Sequence, residues 1–405
     1  MTPWTRLTLC LGGALLVGIS CRDDNMSPTD PGAAEAEAAL ATTTSTPLAF
    51  LQVNAGLSHS CGVTTVNRAY CWGLNRDVYD YGSGQLGDGT TTDRSRPVAV
   101  LGGLLFRQIS PGDYHTCGVT TDNRAFCWGW NAGGQVGDGT IYRRLRPVPV
   151  AGGHRFRQVS AGRTSTCGVS YPDNRAYCWG DNAGGTLGDG TTSRRLTPVA
   201  IGGTLRFRQV NAGWNHTCGV TTDNKAYCWG TNRYGQRGDG TTLTKLIPTP
   251  VVGGIQFRQV DAAGFHTCGV TTADRAYCWG WNLQGQIGDG TTVEKRLSPK
   301  AVTGGLYFRE VSAGGHSTCG VTTASKAYCW GDNGAGQAGD GTTSHRRAPV
   351  AVVGGHQFRQ LSAAMHSCGT DLARKAYCWG DNGGGAVGDG TKTSRSQPVP
   401  VLGPM

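Results

Sequence analysis

Catalytic signatures are missing from this chain of 405 residues. It has no nucleophile elbow, no pair of zinc-binding histidines beside a glutamate and no Walker motif. These patterns mark serine hydrolases, zinc hydrolases and nucleotide-binding enzymes. We therefore expect a protein that is not an enzyme and that needs no cofactor. The apolar run at residues 7–18 covers only about twelve residues, too few for a helix that spans a bilayer.

The first twenty residues have the features of an export signal. Arg6 gives a basic start, the apolar run follows, and residues 18–21 read Gly-Ile-Ser-Cys, an order typical of a secretory signal peptide. The ending resembles that of lipoprotein signals, which are cleaved before a cysteine that is then lipid-modified. That resemblance implies a lipid anchor at Cys21, with ordinary cleavage and release as the alternative. We expect an exported chain, in the cell envelope or outside the cell, that meets a membrane only through this anchor.

Residues 21–48 have the composition of a disordered tether. They are rich in Ala, Thr, Ser and Pro, carry five acidic residues and one arginine, and show no hydrophobic period. Without residues 1–48 the chain keeps 35 basic and 22 acidic residues, a net charge of +13. The remaining region is therefore more basic than the whole chain, whose net charge is +10.

From residue 49 onward the chain consists of seven copies of one segment. A clear copy, residues 215–230, reads Asn-His-Thr-Cys-Gly-Val-Thr-Thr-Asp-Asn-Lys-Ala-Tyr-Cys-Trp-Gly. A period near fifty over most of a chain is typical of propellers and solenoids. The first cysteines of successive copies are 49 to 56 residues apart: Cys61, Cys117, Cys167, Cys218, Cys268, Cys319 and Cys368.

Within one copy the residue types predict a β-hairpin. Two β-rich stretches, 216–221 and 226–229, flank a turn-forming Asp-Asn pair. If Cys218 lies opposite Cys228, the loop holds three residues and its last position needs a left-handed backbone, which asparagine tolerates. That register places both cysteines and the valine on one face, and the tyrosine and tryptophan on the other. Neither face is polar enough for water, so each sheet must be sandwiched between two others.

Each copy runs through four short β-like segments and contains a glycine-rich connection with the string Gly-Asp-Gly-Thr. The pattern Ala-Gly-x-x-His-Thr-Cys, Tyr-Cys-Trp-Gly-x-Asn and Gly-Gln-x-Gly-Asp-Gly-Thr resembles the regulator of chromosome condensation repeat family. This resemblance, over residues 49–405, implies an all-β fold: a seven-bladed β-propeller of four-stranded antiparallel blades. Because a propeller must join its ends, we expect residues 398–401 to complete the blade that contains Cys61 and Cys71.

The fourteen cysteines of the repeats form pairs that the hairpin register brings opposite each other. The members of a pair are ten residues apart, or eleven in the third copy, and an exported chain allows them to oxidise. A thiolate metal site is the alternative, but two cysteines on one hairpin do not supply the four converging ligands that zinc requires. We expect no metal and seven disulfides, each stabilising by roughly 2–3 kcal/mol: Cys61–Cys71, Cys117–Cys127, Cys167–Cys178, Cys218–Cys228, Cys268–Cys278, Cys319–Cys329 and Cys368–Cys378.

Residue types that recur in nearly every copy are expected to serve the scaffold. We expect the repeated tryptophans to form the core between blades, and the aspartates of Gly-Asp-Gly-Thr to cap turns rather than bind calcium or phosphate. We expect the repeated histidines to hydrogen-bond inside their own blades rather than share a metal ion. The residues are Trp72, Trp128, Trp179, Trp229, Trp279, Trp330 and Trp379; Asp88, Asp138, Asp189, Asp239, Asp289, Asp340 and Asp389; His59, His115, His216, His266, His316 and His366.

Recognition of a partner should lie where the copies differ. The variable positions are the short loop after Ala-Gly and the residue after Cys-Trp-Gly, and in an up-and-down blade both emerge on the same side. Aromatic residues on a rigid rim are typical of recognition surfaces, with inward packing as the alternative for each of them. The candidate face, including two tyrosines from an insertion in the first copy, consists of Tyr114, Trp130, Trp214, Phe265, Trp281, Tyr79 and Tyr81.

The first hypothesis for function is a monomeric, non-catalytic binding propeller at the bacterial cell envelope or outside the cell. It would recognise an unidentified protein or glycan through the variable loops. The family that the chain resembles includes secreted bacterial members that inhibit an enzyme through one face, which allows this hypothesis.

Two further hypotheses remain open. One is binding of an anionic polymer through the bases that follow Gly-Asp-Gly-Thr, although interspersed acids argue against nucleic acid. The other is guanine nucleotide exchange, as in the eukaryotic founder of the family, but an exported chain would not meet that GTPase. The bases in question are Arg94, Arg96, Arg143, Arg144, Arg194, Arg195, Lys295, Arg296, Arg346 and Arg347.

Overall fold

A computed structural model of the protein describes residues 48–76 and 82–404. The predicted export signal, nearly all of the predicted tether and the predicted lipidation position Cys21 lie outside the described residues. Each of the seven repeats forms one four-stranded antiparallel sheet with its strands in sequence order. Together the sheets form the predicted seven-bladed β-propeller. The described residues contain no helix with the length and hydrophobicity of a membrane-spanning segment.

The strands are numbered in chain order, four to a blade. Blades 1–4 consist of β1 (Phe50–Ala55), β2 (His59–Thr64), β3 (Ala69–Gly73), β4 (Arg94–Ala99), β5 (Phe106–Pro111), β6 (His115–Thr120), β7 (Ala125–Gly129), β8 (Arg144–Pro149), β9 (Phe156–Ala161), β10 (Ser165–Ser170), β11 (Ala176–Gly180), β12 (Arg195–Ala200), β13 (Phe207–Ala212), β14 (His216–Thr221), β15 (Ala226–Gly230) and β16 (Lys245–Pro250). Blades 5–7 consist of β17 (Phe257–Ala262), β18 (His266–Thr271), β19 (Ala276–Trp281), β20 (Lys295–Ala301), β21 (Phe308–Ala313), β22 (Ser317–Thr322), β23 (Ala327–Gly331), β24 (Arg346–Ala351), β25 (Phe358–Ala363), β26 (His366–Asp371), β27 (Ala376–Gly380) and β28 (Arg395–Pro400).

The hairpin formed by the second and third strands of each blade has the predicted register. In blade 4, Cys218 lies opposite Cys228, and Asn224 ends the loop with a left-handed φ of 67°. All seven predicted cysteine pairs are disulfides between directly opposed residues, with Cα atoms 4.0–4.1 Å apart. Seven disulfides within blades indicate an oxidising environment, outside the cell or in its envelope.

The core lies between blades, where the two apolar faces of neighbouring sheets meet. In one such layer Cys167 of blade 3 packs with Phe207 and Trp229 of blade 4. The Trp229 indole N–H donates to the carbonyl of Thr186 in blade 3 at 2.9 Å. All seven of the predicted core tryptophans are fully buried. Gly219 leaves room for this layer, because a Cβ there would lie 2.7 Å from the Phe207 ring.

Buried histidines bond across blade boundaries, so the expectation of hydrogen bonds within their own blades is wrong. His59 Nε2 lies 2.8 Å from Thr116 Oγ1 of the next blade. That hydroxyl donates its only proton to the carbonyl of Gln85, so the histidine must be the donor. The reason is the alternation of side chains along a strand: the histidine faces the next blade and the residue after it faces the previous one. The bond recurs between His115 and Thr166, His216 and Thr267, His266 and Thr318, and His366 and Ser60.

The ring closes without a shared blade, so the expected completion of blade 1 by residues 398–401 is wrong. Those residues belong to blade 7, where β28 pairs with β27. Residues 50–55 already supply the innermost strand of blade 1, which leaves no position for a strand from the other end. Blade 7 instead contacts blade 1 as any neighbour does. Phe50 N–H donates to the Arg374 carbonyl at 2.9 Å, and the Gln360 amide bonds the Val53 backbone in both directions.

The two ends of the propeller carry different connections. The loop face holds the turns between the first and second strands of each blade and the glycine-rich connections between the third and fourth. The hairpin face holds the loops between the second and third strands and the connections from one blade to the next. The first strand of each blade lines the central channel and runs from the hairpin face to the loop face.

Candidate binding face

Five aromatic side chains from blades 4, 5 and 6 meet on the loop face. Trp214, Phe265 and His316 belong to the turns between first and second strands. Tyr234 and Trp281 belong to the region where the third strand passes into the glycine-rich connection. We refer to these five residues as the aromatic cluster. All five are half-buried, so packing holds each ring in place while part of it stays exposed to a partner.

The rings of the aromatic cluster form a continuous network. Trp214 meets Phe265 edge-on with centroids 5.3 Å apart, and Phe265 stacks on His316 at 6.1 Å. Trp281 lies 5.0 Å from His316, and Tyr234 lies 5.4 Å from Phe265. Aromatic pairs at such separations stabilise by about 0.5–1.5 kcal/mol each beyond area burial. The cluster is therefore held in one arrangement before any ligand binds.

Trp214 extends over turns of the next two blades because those turns carry glycine. A Cβ on Gly264 would lie 3.0 Å from the indole, and one on Gly315 would lie 3.6 Å from it. The indole therefore reaches the loop-face mouth of the central channel. That mouth, about 90 Å³ in volume, is lined mainly by glycines and alanines, and also by Leu57, Pro111, Asp113 and Trp214.

A buried carboxylate lies beside Trp214. Asp113 of blade 2 lines the same mouth as Trp214, and the Trp214 side chain favours the charged form of this carboxyl group. Arg163 of blade 3 places its Nε 3.9 Å from Asp113 Oδ2 and its guanidinium carbon 5.7 Å from the Trp214 ring centroid. Burial raises the pKa of Asp113 to about 7, and Arg163 and the neighbouring Trp214 side chain oppose that rise. The Asp113 carboxyl group on the loop face therefore gains or loses its charge near neutral pH.

His316 joins the aromatic cluster because the sixth repeat is shifted by one residue. Ser317 pairs with Gly331, the register that His216 has with Gly230 in blade 4. The histidine therefore lies one residue earlier, in the turn on the loop face. Burial lowers the pKa of its imidazole, and Asp332 opposes the shift. Because its pKa is lowered, the ring that stacks on Phe265 is mainly uncharged at neutral pH.

The structure brings three of the predicted face residues together and puts two in a separate pair. Trp214, Phe265 and Trp281 belong to the aromatic cluster. Tyr114 and Trp130 form an edge-to-face pair within blade 2, with centroids 6.2 Å apart. All five emerge on the loop face, as the strand directions predict. The remaining two predicted residues, Tyr79 and Tyr81, lie outside the described residues.

Two members of the cluster were not predicted from the sequence. Tyr234 follows Asn232 by two residues, a position where copies 2, 3, 5, 6 and 7 carry only Gly, Gln or Ala. A comparison of the copies at that position would have found it. The sequence pattern groups His316 with the repeated histidines, and its one-residue shift is the signal that separates it from them.

The aspartates of Gly-Asp-Gly-Thr cap turns, as expected, and they also hold arginines. Asp138 Oδ1 accepts the Thr140 N–H at 3.1 Å and its hydroxyl at 2.8 Å, while Oδ2 pairs with Arg144 at 2.5 Å. Five of the ten bases considered for an anionic polymer are therefore engaged within their own blades. The same ion pair recurs at 2.5–3.0 Å between Arg94 and Asp88, Arg195 and Asp189, Arg296 and Asp289, Arg346 and Asp340, and Arg395 and Asp389.

The central channel is polar and contains two acidic side chains. Its volume is about 270 Å³, and glutamine, asparagine and serine side chains of the first strands line it with Asp261 and Glu310. Burial raises the pKa of Asp261 to about 6 and that of Glu310 to about 7. Both accept backbone N–H groups of the next blade, from Ala313 at 2.9 Å and Leu361 at 2.7 Å. Within residues 48–76 and 82–404, no group of three or more potential ligands could hold a metal ion.

Comparison with known proteins identifies similar sequences. The model of the RCC1-like domain matches residues 17–309, and that of the regulator of chromosome condensation (RCC1) repeat matches residues 308–337. The ultraviolet-B receptor UVR8 of Arabidopsis thaliana is 30% identical over 178 residues, which cover 42% of this chain and 38% of the receptor. The chain therefore matches less than half of that relative's length.

Solved structures share the propeller fold. Yeast RCC1 (Prp20), bound to Kap60, superposes with a TM-score of 0.72 at 17% identity, over 95% of this chain and 91% of that one. Prp20p from Saccharomyces cerevisiae, described with its binding to Gsp1p and histones, has a TM-score of 0.68 at 20% identity. That match covers 79% of this chain and 82% of the yeast protein. At these identities the likeness shows the fold alone.

Proposed function

The chain belongs to the RCC1-like domain family, and from that membership and its loop face we propose that it is a non-catalytic binding propeller. The proposed partner is a protein or a glycan outside the cytoplasm, recognised through the loop face. Propellers host unrelated activities, so family membership alone does not carry the proposal and the site must.

The observation that carries the proposal is the aromatic cluster. Large rings with few rotatable bonds bury much area at low entropic cost, which is why tryptophan and tyrosine dominate binding energy at interfaces. Here the rings are already packed against one another, which lowers the ordering cost of binding further. Scaffold residues recur in every blade, whereas these five residues are confined to blades 4, 5 and 6.

Protein partners are named for one of the solved relatives. Yeast Prp20 is described in complex with Kap60 and with binding to Gsp1p and histones. This supports a protein as the first class of partner to test. Nucleotide exchange on a cytoplasmic GTPase has less support, since seven disulfides within blades are typical of an oxidising environment and the sequence predicts an export signal.

Binding of an anionic polymer through the bases after Gly-Asp-Gly-Thr has less support. The guanidinium groups of Arg94, Arg144, Arg195, Arg296 and Arg346 are already paired with aspartates at 2.5–3.0 Å. An anion would have to compete with a carboxylate that is held in place by its own turn.

Affinity capture from the envelope extract of the source organism tests the proposal. The native protein, a Phe265→Ala/Trp281→Ala variant and a Tyr307→Ala control are immobilised at equal density. Tyr307 is exposed and lies in the connection to β21, on the hairpin face. We expect a partner that the native protein and the control retain and the double variant loses. Protease and periodate treatment of that partner separate a protein from a glycan. Equal capture by all three proteins would refute a loop-face site.

A further inference from the structure

The positive charge of the propeller is concentrated on the hairpin face. Two sets of segments form this face: the loops between the second and third strands, and the connections from one blade to the next. When each connection is counted up to the second residue of the following first strand, these segments carry sixteen arginines and lysines. Five aspartates accompany them, counting Asp371 at the end of β26. The net charge of these segments is therefore +11, which is most of the +13 net charge of the repeat region. The other nineteen of the 35 basic residues of that region lie elsewhere in the propeller.

Six arginines encircle the hairpin-face end of the central channel. Each is the second residue of a first strand, and each strand lines the channel. Blade 1 carries the exposed Leu51 instead, so the circle has one gap. We refer to these residues of blades 2 to 7 as the arginine ring: Arg107, Arg157, Arg208, Arg258, Arg309 and Arg359.

Backbone carbonyls of the next blade fix several of these guanidinium groups. Arg309 Nη2 donates to the carbonyls of Phe358 and Arg359 at 2.8 and 2.9 Å. Arg107 and Arg258 bond the next blade in the same way. These bonds use one terminal nitrogen, which leaves further N–H groups of a five-donor side chain available to an anion.

The arginine ring holds like charges close together with little acid to balance them. Within the described part of the chain, Arg258 with Asp274 is the only ion pair in the ring. Burial and the neighbouring Arg157 lower the pKa of Arg107, and burial and Arg258 lower that of Arg208. Neighbouring cations repel each other, so a bound anion relieves an unfavourable arrangement that already exists.

The chain enters the propeller on the same face. Phe50 begins β1 at its hairpin-face end and bonds Arg374 in the hairpin loop of blade 7. The described chain therefore begins at the basic end of the propeller. The aromatic cluster lies at the opposite end.

We propose that the hairpin face docks on a bilayer of anionic phospholipids, with the arginine ring binding headgroup phosphates. Guanidinium groups match phosphate oxygens bidentately, and each base near an anionic bilayer surface strengthens binding roughly fivefold. This docking is a second interaction, independent of the partner proposed for the loop face. It leaves the aromatic cluster facing away from the membrane.

Vesicle co-sedimentation tests the docking. The protein is residues 21–405 with Cys21→Ser, so that no acyl chain contributes to binding. The vesicles are pure phosphatidylcholine or phosphatidylcholine mixed with phosphatidylglycerol. The variant removes three exposed arginines of the ring, and a matched control removes three exposed arginines of the loop face. They are Arg157→Gln/Arg309→Gln/Arg359→Gln and Arg143→Gln/Arg194→Gln/Arg347→Gln.

We expect binding to the mixed vesicles only, weakened by salt. The ring variant should bind about 100-fold more weakly and the control at most a few-fold. If the ring variant has a lower melting temperature than the native protein, the single variant Arg359→Gln is tested instead. Its affinity for the mixed vesicles should fall roughly fivefold. The Arg359 side chain makes no hydrogen bond to any described residue, so this change spares the fold. Equal losses in ring and control variants would overturn the proposal. So would ring-dependent binding of a soluble acidic polysaccharide or DNA without binding of vesicles.

Discussion

Glu310 Oε1 accepts the N–H of Leu361 in the next blade at 2.7 Å. All six other blades have a glutamine here. In five of them the amide accepts an N–H of the next blade and also donates to a carbonyl of that blade. Gln259 makes these bonds to Val311 at 3.1 and 2.6 Å. A carboxyl group can match both bonds only when it is protonated. Burial raises the pKa of Glu310 to about 7, so below that pH the side chain is a neutral substitute for glutamine.

We expect Glu310→Gln to stabilise the protein at pH 8 and to change little at pH 4. The folded protein keeps the proton up to a pKa of about 7, whereas the unfolded chain releases it above 4.5. The native side chain therefore costs stability as the pH rises through this window, by roughly 3 kcal/mol at its upper end. Urea denaturation at both pH values measures the difference.

The matched control is Gln259→Glu, which installs the same acid one blade earlier. This variant should lower the free energy of unfolding at pH 8 and change it little at pH 4. Equal effects of Glu310→Gln at the two pH values would contradict the neutral-acid account.

Acid should destabilise the propeller through its buried histidines. Burial lowers the pKa of His216 from 6.5 to about 3. It lowers the pKa values of His59, His115 and His266 to about 3 as well. The folded state therefore keeps these rings neutral, while the unfolded chain binds protons below pH 6.5. Their stabilising effect is complete above that pH and is lost as the pH falls, by roughly 2 kcal/mol per histidine at pH 5.

His216→Ser tests this, because blade 3 naturally has Ser165 at the same position. The variant should melt earlier than the native protein at pH 7 but lose less melting temperature between pH 7 and pH 5. An unchanged pH slope would show that the histidines are not the acid-sensitive groups.

In blade 4 the cation that pairs with the Gly-Asp-Gly-Thr aspartate is fully buried, whereas the arginines of the other blades are partly exposed. Arg237 is fully buried and pairs with Asp239, and Lys245 stands where the other blades have the arginine that pairs with this aspartate. Arg237 Nε and Nη1 and the indole nitrogen of Trp279 have no partner among the described residues. Buried charges with unsatisfied donors are often less stable than an apolar replacement.

We expect Arg237→Val with Lys245→Arg to restore the common pattern and to stabilise the protein by about 1–3 kcal/mol. Arg237→Val alone should gain less, because it leaves Asp239 without a cation. Guanidinium denaturation of the native protein and both variants measures these effects. A double variant less stable than the native protein would contradict the interpretation.

The disulfides should each contribute through the unfolded state. Replacing Cys218 and Cys228 by alanine opens one hairpin, and we expect a loss of about 3 kcal/mol, the chain-entropy estimate for a closed loop of this size. Peptide mass mapping without reduction should recover seven pairs within blades from exported protein. Pairs between blades, or a double variant as stable as the native protein, would be the contrary result.

Local patterns made the blade predictable. The repeated pairing of cysteines and the asparagine before the third strand set the hairpin register, because both are constraints within about ten residues. The number of copies predicted the number of blades. Sheet alternation also predicted two apolar faces, but not that Thr116 would meet His59, because that contact depends on how one blade packs on the next.

Contacts between blades made the site harder to predict. Trp214, Phe265 and His316 are about fifty residues apart in sequence, and only the ring geometry brings them together. The extension of Trp214 depends on Gly264 and Gly315. The sequence alone does not show that an indole from another blade lies over these glycines. The shared-blade closure was wrong for a similar reason: packing and hydrogen bonds such as Phe50 to Arg374 close the ring, and these leave no local sequence signal.

The most direct test of the loop-face site is the affinity of the isolated partner for two single-aromatic variants, with melting temperatures recorded. Trp281→Ala removes a ring that contacts His316 and Phe265 on the loop face, and Tyr307→Ala removes an exposed ring on the hairpin face. We predict a loss of about 2 kcal/mol or more for Trp281→Ala, roughly thirtyfold in Kd. The Tyr307→Ala variant should bind like the native protein, and both variants should melt close to it. Native affinity for Trp281→Ala, with binding lost in Tyr307→Ala instead, would contradict the account.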